Sequence, residues 1–146
     1  TARIHPALMA VHQGRTMENR TLAFYATKMG KGYLLIAVEH DSGTKILRAG
    51  ASYCSPKDKF DARGETPEGM KARNIALGRM RCERTNKGNK NWVARIMIGS
   101  VENTASIYAL LPFIAEQVCL LTCAPDWARK AAKKRSVVMV GTHKEG

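Results

Sequence analysis

The chain has 146 residues, the size of one ordinary domain, and its 45% hydrophobic content excludes wholesale disorder. Only 6% of the residues are aromatic, so a core has to be built mainly from Leu, Ile, Val, Ala and Met. With 24 basic against 12 acidic residues the formal net charge is +12, which repels itself in a compact chain and which a polyanion would neutralise.

Residues 1–20 mix His5, Pro6, Gly14 and scattered polar side chains without a clear period, which suits an N-terminal arm or a short helix around PALMAVH. From Thr21 the pattern changes to short apolar runs, TLAFYATKM, YLLIAVEH and TKILRAGASYC, separated by GKG and HDSG; these read as an antiparallel meander. In the third run Ile46, Arg48, Gly50 and Ser52 alternate with Leu47, Ala49, Ala51 and Tyr53, predicting one covered and one wet face. Gly50 marks a bulge or a close approach by another segment.

The stretch TPEG is the sharpest local signal. Thr66 is suited to cap a helix, Pro67 fits the first helical position because its missing N–H has no intrahelical partner there, and Glu68 complements the positive end of the dipole. This predicts a helix from Pro67 to Arg84, stopped by NKGN, in which Gly69 and Gly78 each cost about 1 kcal/mol relative to alanine. NWVARIMIG then reads as a strand, with Trp92, Ala94, Ile96 and Ile98 on one side and Val93, Arg95 and Met97 on the other. Asn103 or Thr104 caps the next helix, whose buried stripe is Ile107, Leu110, Leu111, Ile114, Val118 and Leu121; Pro112 kinks it or starts its second half. Pro125 and Asp126 open a short helix, DWARKAAKKR, and SVVMVG around Val138 reads as a closing strand. Together these predict one α+β domain over residues 1–146: an antiparallel sheet, made of a β-meander plus later strands, with a buried apolar helix and basic flanking helices.

The positive charge is concentrated. Residues 43–100 hold 13 basic and 5 acidic residues, residues 125–135 hold 5 and 1, and the intervening 101–124 has no basic residue and 2 acidic ones. Lys57, Lys59, Arg63, Lys71, Arg73, Arg79, Arg81 and Arg84 surround the turn and the helix after it, and Lys87 and Lys90 extend the patch into the next loop. At the helical period the basic side chains of the helix starting at Pro67 spread around most of its circumference, a poor design for a helix packed on both sides and a suitable one for a helix lying on an anionic surface. Arginine's planar fork holds a phosphate through two parallel hydrogen bonds, and Tyr53, Phe60 or Trp92 alongside offers a ring for stacking on unpaired bases. Arg129, Lys130, Lys133, Lys134 and Arg135 are assigned to the patch's other edge. The expected function is non-enzymatic binding of DNA, RNA or a nucleoprotein complex, with charge reversal at Arg73, Arg79, Arg81 and Arg84 abolishing association and leaving the fold intact. Two alternatives are an inhibitor or adaptor docking on an acidic protein surface and a metal-dependent nuclease. A solvated helix whose arginines pair with Asp58, Asp61, Glu65, Glu68 and Glu83 is the plainest reading of the same residues.

Other chemistries find little support. ARGETPEGMK matches neither phosphate-binding glycine fingerprint, and no cofactor is implied. Cys119 and Cys123 share a helical face, and His40, Cys54 or Cys82 would have to complete a metal set; their apolar setting favours core packing. In the triplet Glu39, His40 and Asp41 only the two carboxylates share a side of a strand, and His5 and His12 lack an oriented partner. A start at Thr1 is what removal of an initiator methionine would leave; with four cysteines and no secretory leader, it predicts reduced thiols in a cytoplasmic protein. Glu116 and Gln117 interrupt the longest apolar stretch and argue against a membrane anchor, although the basic WARKAAKKR that follows suits a membrane edge.

Overall fold

The computed structural model describes residues 10–17, 20–57, 59–82, 91–98 and 104–145. Five strands, β1 (Ala10–Met17), β2 (Arg20–Met29), β3 (Gly32–Asp41), β4 (Ile46–Cys54) and β5 (Val93–Met97), form an antiparallel sheet whose spatial order is the chain order. Local turn chemistry sets the register. Met29 pairs with Gly32, which leaves Gly30 and Lys31 as a two-residue loop, and the positive φ of 66° at Gly30 fits the primed turn with glycine first. At the next hairpin Asp41 Oδ1 accepts the Gly43 N–H at 2.8 Å, and the Lys45 N–H closes the loop on the Asp41 carbonyl at 2.7 Å.

Three helices cover the sheet: α1 (Pro67–Met80) on one face, α2 (Thr104–Leu121) and α3 (Asp126–Glu145) on the other. The alternation of strand side chains divides the core. Phe24, Ala26, Leu35 and Ala37 meet Ala76 and Met80 of α1, whereas Tyr25, Leu34, Ile36, Val38, Leu47 and Ala49 meet Ile107, Leu111, Ile114 and Val118 of α2. Covered on both sides, β3 is a continuous apolar run, LLIAV. The architecture is α+β, as the succession of runs predicts.

Gly50 shows why α1 lies where it does. A Cβ there would fall 2.2 Å from the Met80 nitrogen and 2.6 Å from the Ala76 carbonyl oxygen, so the helix backbone rests on the strand. The close approach is present and the β3–β4 register runs unbroken through Gly50, so it is not a bulge. The face of β4 expected to be wet is accordingly covered at Gly50 and Ser52, both buried.

Several expectations are corrected. Residues 10–17 are a strand rather than an arm, because pairing with β2 satisfies the outer edge of that strand, with a register shift between Val11 and Arg15; residues 1–9 lie outside the described residues. The closing strand near Val138 does not form: α3 continues to Glu145, since extending a nucleated helix costs less than starting a new element. α1 stops at Met80 rather than Arg84, its end tightened by Cys82 N–H donating to the Arg79 carbonyl at 3.2 Å. α2 runs through Pro112, which sits on the exposed side of the helix, where its ring and missing N–H disturb no buried contact. Leu121 is exposed, and Ala115 and Cys119 complete the buried stripe in its place. No described helix is long and apolar enough to cross a membrane.

Candidate nucleic-acid interface

The approach to α1 is organised by one carboxylate. Asp61 Oδ2 accepts the Thr66 N–H at 2.7 Å and the Thr66 hydroxyl at 2.8 Å, while Oδ1 accepts the Arg63 N–H at 3.1 Å. Thr66 Oγ1 in turn accepts the Gly69 N–H at 3.1 Å, closing the N-cap, and a Cβ at Gly69 would meet the Asp61 carboxylate. The hydrogen bonds from Thr66, backbone first and then hydroxyl, lower the Asp61 pKa from 3.8 to about 2. Because the folded pKa lies below the unfolded one, this carboxylate stabilises the turn above the ordinary carboxylate pKa, and the contribution disappears as pH falls through about 2. The Thr66 amide resonance is therefore expected to titrate with a midpoint near 2, and a midpoint at 3.8 would show the carboxylate to be merely solvated. Thr66→Ala, which removes the cap, should cost about 1 kcal/mol in urea unfolding.

Two arginines of the basic helix have internal tasks. The Arg73 guanidinium lies over the Phe24 ring at 4.9 Å and donates to the Ala62 carbonyl at 3.4 Å, and its stem packs on Gly64, whose φ is 73°. It fastens the 60–64 loop to the sheet. Arg79 donates through Nη1 to the Ala51 carbonyl at 2.8 Å and covers the Trp92 ring at 4.2 Å. Burial lowers the pKa of both guanidiniums from the ordinary value. Charge reversal at these two positions is therefore expected to disturb the seating of the loop and of α1, against the expectation that the fold would stay intact.

The remaining cations of this layer face outward. Lys57, Lys59, Arg63, Lys71 and Arg81 are exposed, and among the described residues no carboxylate pairs with any of them. Glu65 and Glu68 are exposed in the same region. Arg84, Lys87 and Lys90, with Asp58 and Glu83, lie outside the described residues. Arg95, not singled out by the sequence pattern, is exposed on the same side of the sheet as α1, directly across from Arg48 in the β4–β5 register. The signal for it was the alternation in NWVARIMIG, which places Arg95 with Val93 and Met97.

The C-terminal basic segment does not form the other edge of this patch. Ala128 and Ala132 pack α3 into the core on the opposite face of the sheet from α1, so the two basic helices are separated by the sheet. Arg129 Nη2 donates to the Thr122 carbonyl at 2.8 Å just beyond the end of α2, and Arg135 donates to the Lys28 carbonyl at 3.0 Å; Lys130, Lys133 and Lys134 are exposed.

The three aromatics assigned to base stacking are each engaged by the protein. Phe60 stacks on Tyr33 with centroids 4.5 Å apart and planes 7° from parallel. Trp92 lies beneath Arg79. Tyr53 is on the far side of the sheet, edge-on to Trp127 at 6.2 Å with its hydroxyl 3.4 Å from Thr122 Oγ1, and burial raises its pKa well above the phenol range.

The carboxylates considered for nuclease chemistry are also occupied. Glu39 Oε1 accepts from Arg48 at 3.0 Å, Asp41 holds the hairpin and lies 3.8 Å from Arg20, and buried His40 contacts the Ile98 carbonyl at 3.2 Å. Cys119 is fully buried, and its thiol pKa is pushed by burial up to about 11. Among the described residues no group of three His, Cys, Asp or Glu side chains is placed to hold a metal ion. No protein-family model matches the chain, and no curated protein or solved structure matches it.

Proposed function

We propose that this protein is a non-enzymatic nucleic-acid-binding protein that grips phosphate through the α1 layer. The observation that carries the reading is a division of labour in one basic segment. Arg73 and Arg79 hold the loop and helix to the sheet, while Lys57, Lys59, Arg63, Lys71 and Arg81 stay exposed on a chain of net charge +12. Exposed cations on a fixed scaffold meet a phosphate backbone without first leaving internal partners, so the contacts have little reorganisation to offset.

Binding measured by fluorescence anisotropy should weaken as salt rises, with a logarithmic slope of about −0.7 to −0.9 for each phosphate neutralised. The combined variant Lys57→Glu, Lys59→Glu, Lys71→Glu and Arg81→Glu should keep the parent's unfolding midpoint, since all four side chains are exposed, and lose binding at moderate salt. Absence of salt-sensitive binding to both DNA and RNA, or parental affinity in the fourfold variant, would refute the reading.

A further inference from the structure

Three glycines in or under α1 have different surroundings. Gly50 lies beneath the helix backbone and Gly69 beneath the Asp61 carboxylate, so each has an internal reason to lack a side chain. Gly78 has none: a Cβ there meets nothing within 4 Å, in the last turn of α1, where glycine is still a poorer helix former than alanine. It lies on one stripe with Pro67, Lys71, Asn74 and Arg81, at helical spacings of four, three, four and three residues, and all five are exposed. Lys71 and Arg81 stand about 15 Å apart along this stripe at 1.5 Å per residue, with bare backbone and one amide side chain between them.

Resting on the reading that the α1 layer binds nucleic acid, we propose that the outer stripe Lys71, Asn74, Gly78 and Arg81 is the contact ridge for double-stranded DNA, with Gly78 at the point of closest approach. Charge complementarity selects a polyanion. The state of the aromatics selects a duplex: single strands are held largely by rings stacked on their bases, and here Phe60, Trp92 and Tyr53 are already engaged by Tyr33, Arg79 and Trp127. A duplex hides its base faces and presents phosphates, which need cations and a ridge that does not hold them off. The B-form major groove admits a helix, whereas the A-form major groove of RNA is too deep and narrow for one.

The test compares short duplex DNA, the same sequence as single-stranded DNA, and duplex RNA, by anisotropy with the full chain and with Gly78→Ala and Gly78→Met. Both variants should unfold at higher temperature than the parent, because the added Cβ meets no neighbour, the position is exposed and the helix gains a better former. Duplex DNA should bind most tightly, and Gly78→Met should weaken it about tenfold despite its raised stability. Parental affinity in Gly78→Met, or preference for single strands or duplex RNA, overturns the ridge and leaves phosphate binding by the α1 layer standing. Failure of all three nucleic acids to bind overturns both.

Discussion

Gly50→Ala should destabilise the protein by about 3 kcal/mol, and larger side chains there should detach α1 from the sheet. The added Cβ would lie 2.2 Å from the Met80 nitrogen, 2.6 Å from the Ala76 oxygen and 2.8 Å from the Arg79 carbonyl carbon. All three are backbone atoms, so no rotamer change relieves the overlap. The helix cannot lift without cost, because its buried stripe consists of Gly69, Ala76 and Met80, with little apolar area to spare, and because Arg79 bonds the same strand one residue further on, at Ala51. Urea unfolding of Gly50→Ala beside Gly78→Ala gives a controlled comparison: the same added methyl should destabilise at the first position and stabilise by about 0.5–1 kcal/mol at the second. Parental stability of Gly50→Ala would mean that α1 is not seated on β4.

Gly50 also illustrates what a sequence can disclose. A glycine inside a β-run reports a close approach, but the identity of the approaching segment depends on how the chain folds back. The meander of β2, β3 and β4 was readable because its turn residues and apolar runs agree, and α2 because its period persists over five turns. Residues 10–17 lack that agreement: their alternation is weak, and they form β1 through the ladder with β2. SVVMVG has the composition of a strand, yet it follows a helix already under way, and a short apolar run does not distinguish the two by period.

The candidate site was legible in composition and not in detail. Spacing placed the cations on a turn and helix, and nothing in a run of arginines separates one that donates to a carbonyl from one that faces solvent. That separation arises from the sheet, which supplies Phe24 to Arg73 and the Ala51 carbonyl to Arg79. Likewise the spacing within residues 126–135 predicts a basic helix but not the face it covers, which follows from its packing beside α2 through Ala128 and Ala132.

Arg79 carries the second large effect. β5 pairs with β4 only as far as Val93 opposite Gly50, so the Ala51 carbonyl lies one residue beyond the last ladder pair. The Arg79 guanidinium donates to it at 2.8 Å while lying over Trp92, the residue before β5. One side chain therefore ties the C-terminal end of α1 to the point where the two strands separate. Arg79→Met keeps the aliphatic stem but removes the charge-assisted hydrogen bond and the cation–π contact, and should cost about 2 kcal/mol in urea unfolding. Arg79→Lys should fall between, since a lysine retains the charge without the planar fork, whereas Arg81→Ala, at an exposed side chain, should stay within about 0.5 kcal/mol of the parent. Nucleic-acid binding then divides the two arginines in the opposite sense. Arg81→Ala should weaken binding and lower the salt slope at every temperature, while Arg79→Met should bind as the parent does until α1 begins to detach on heating. A loss of affinity in Arg79→Met well below its unfolding transition would return Arg79 to the docking surface.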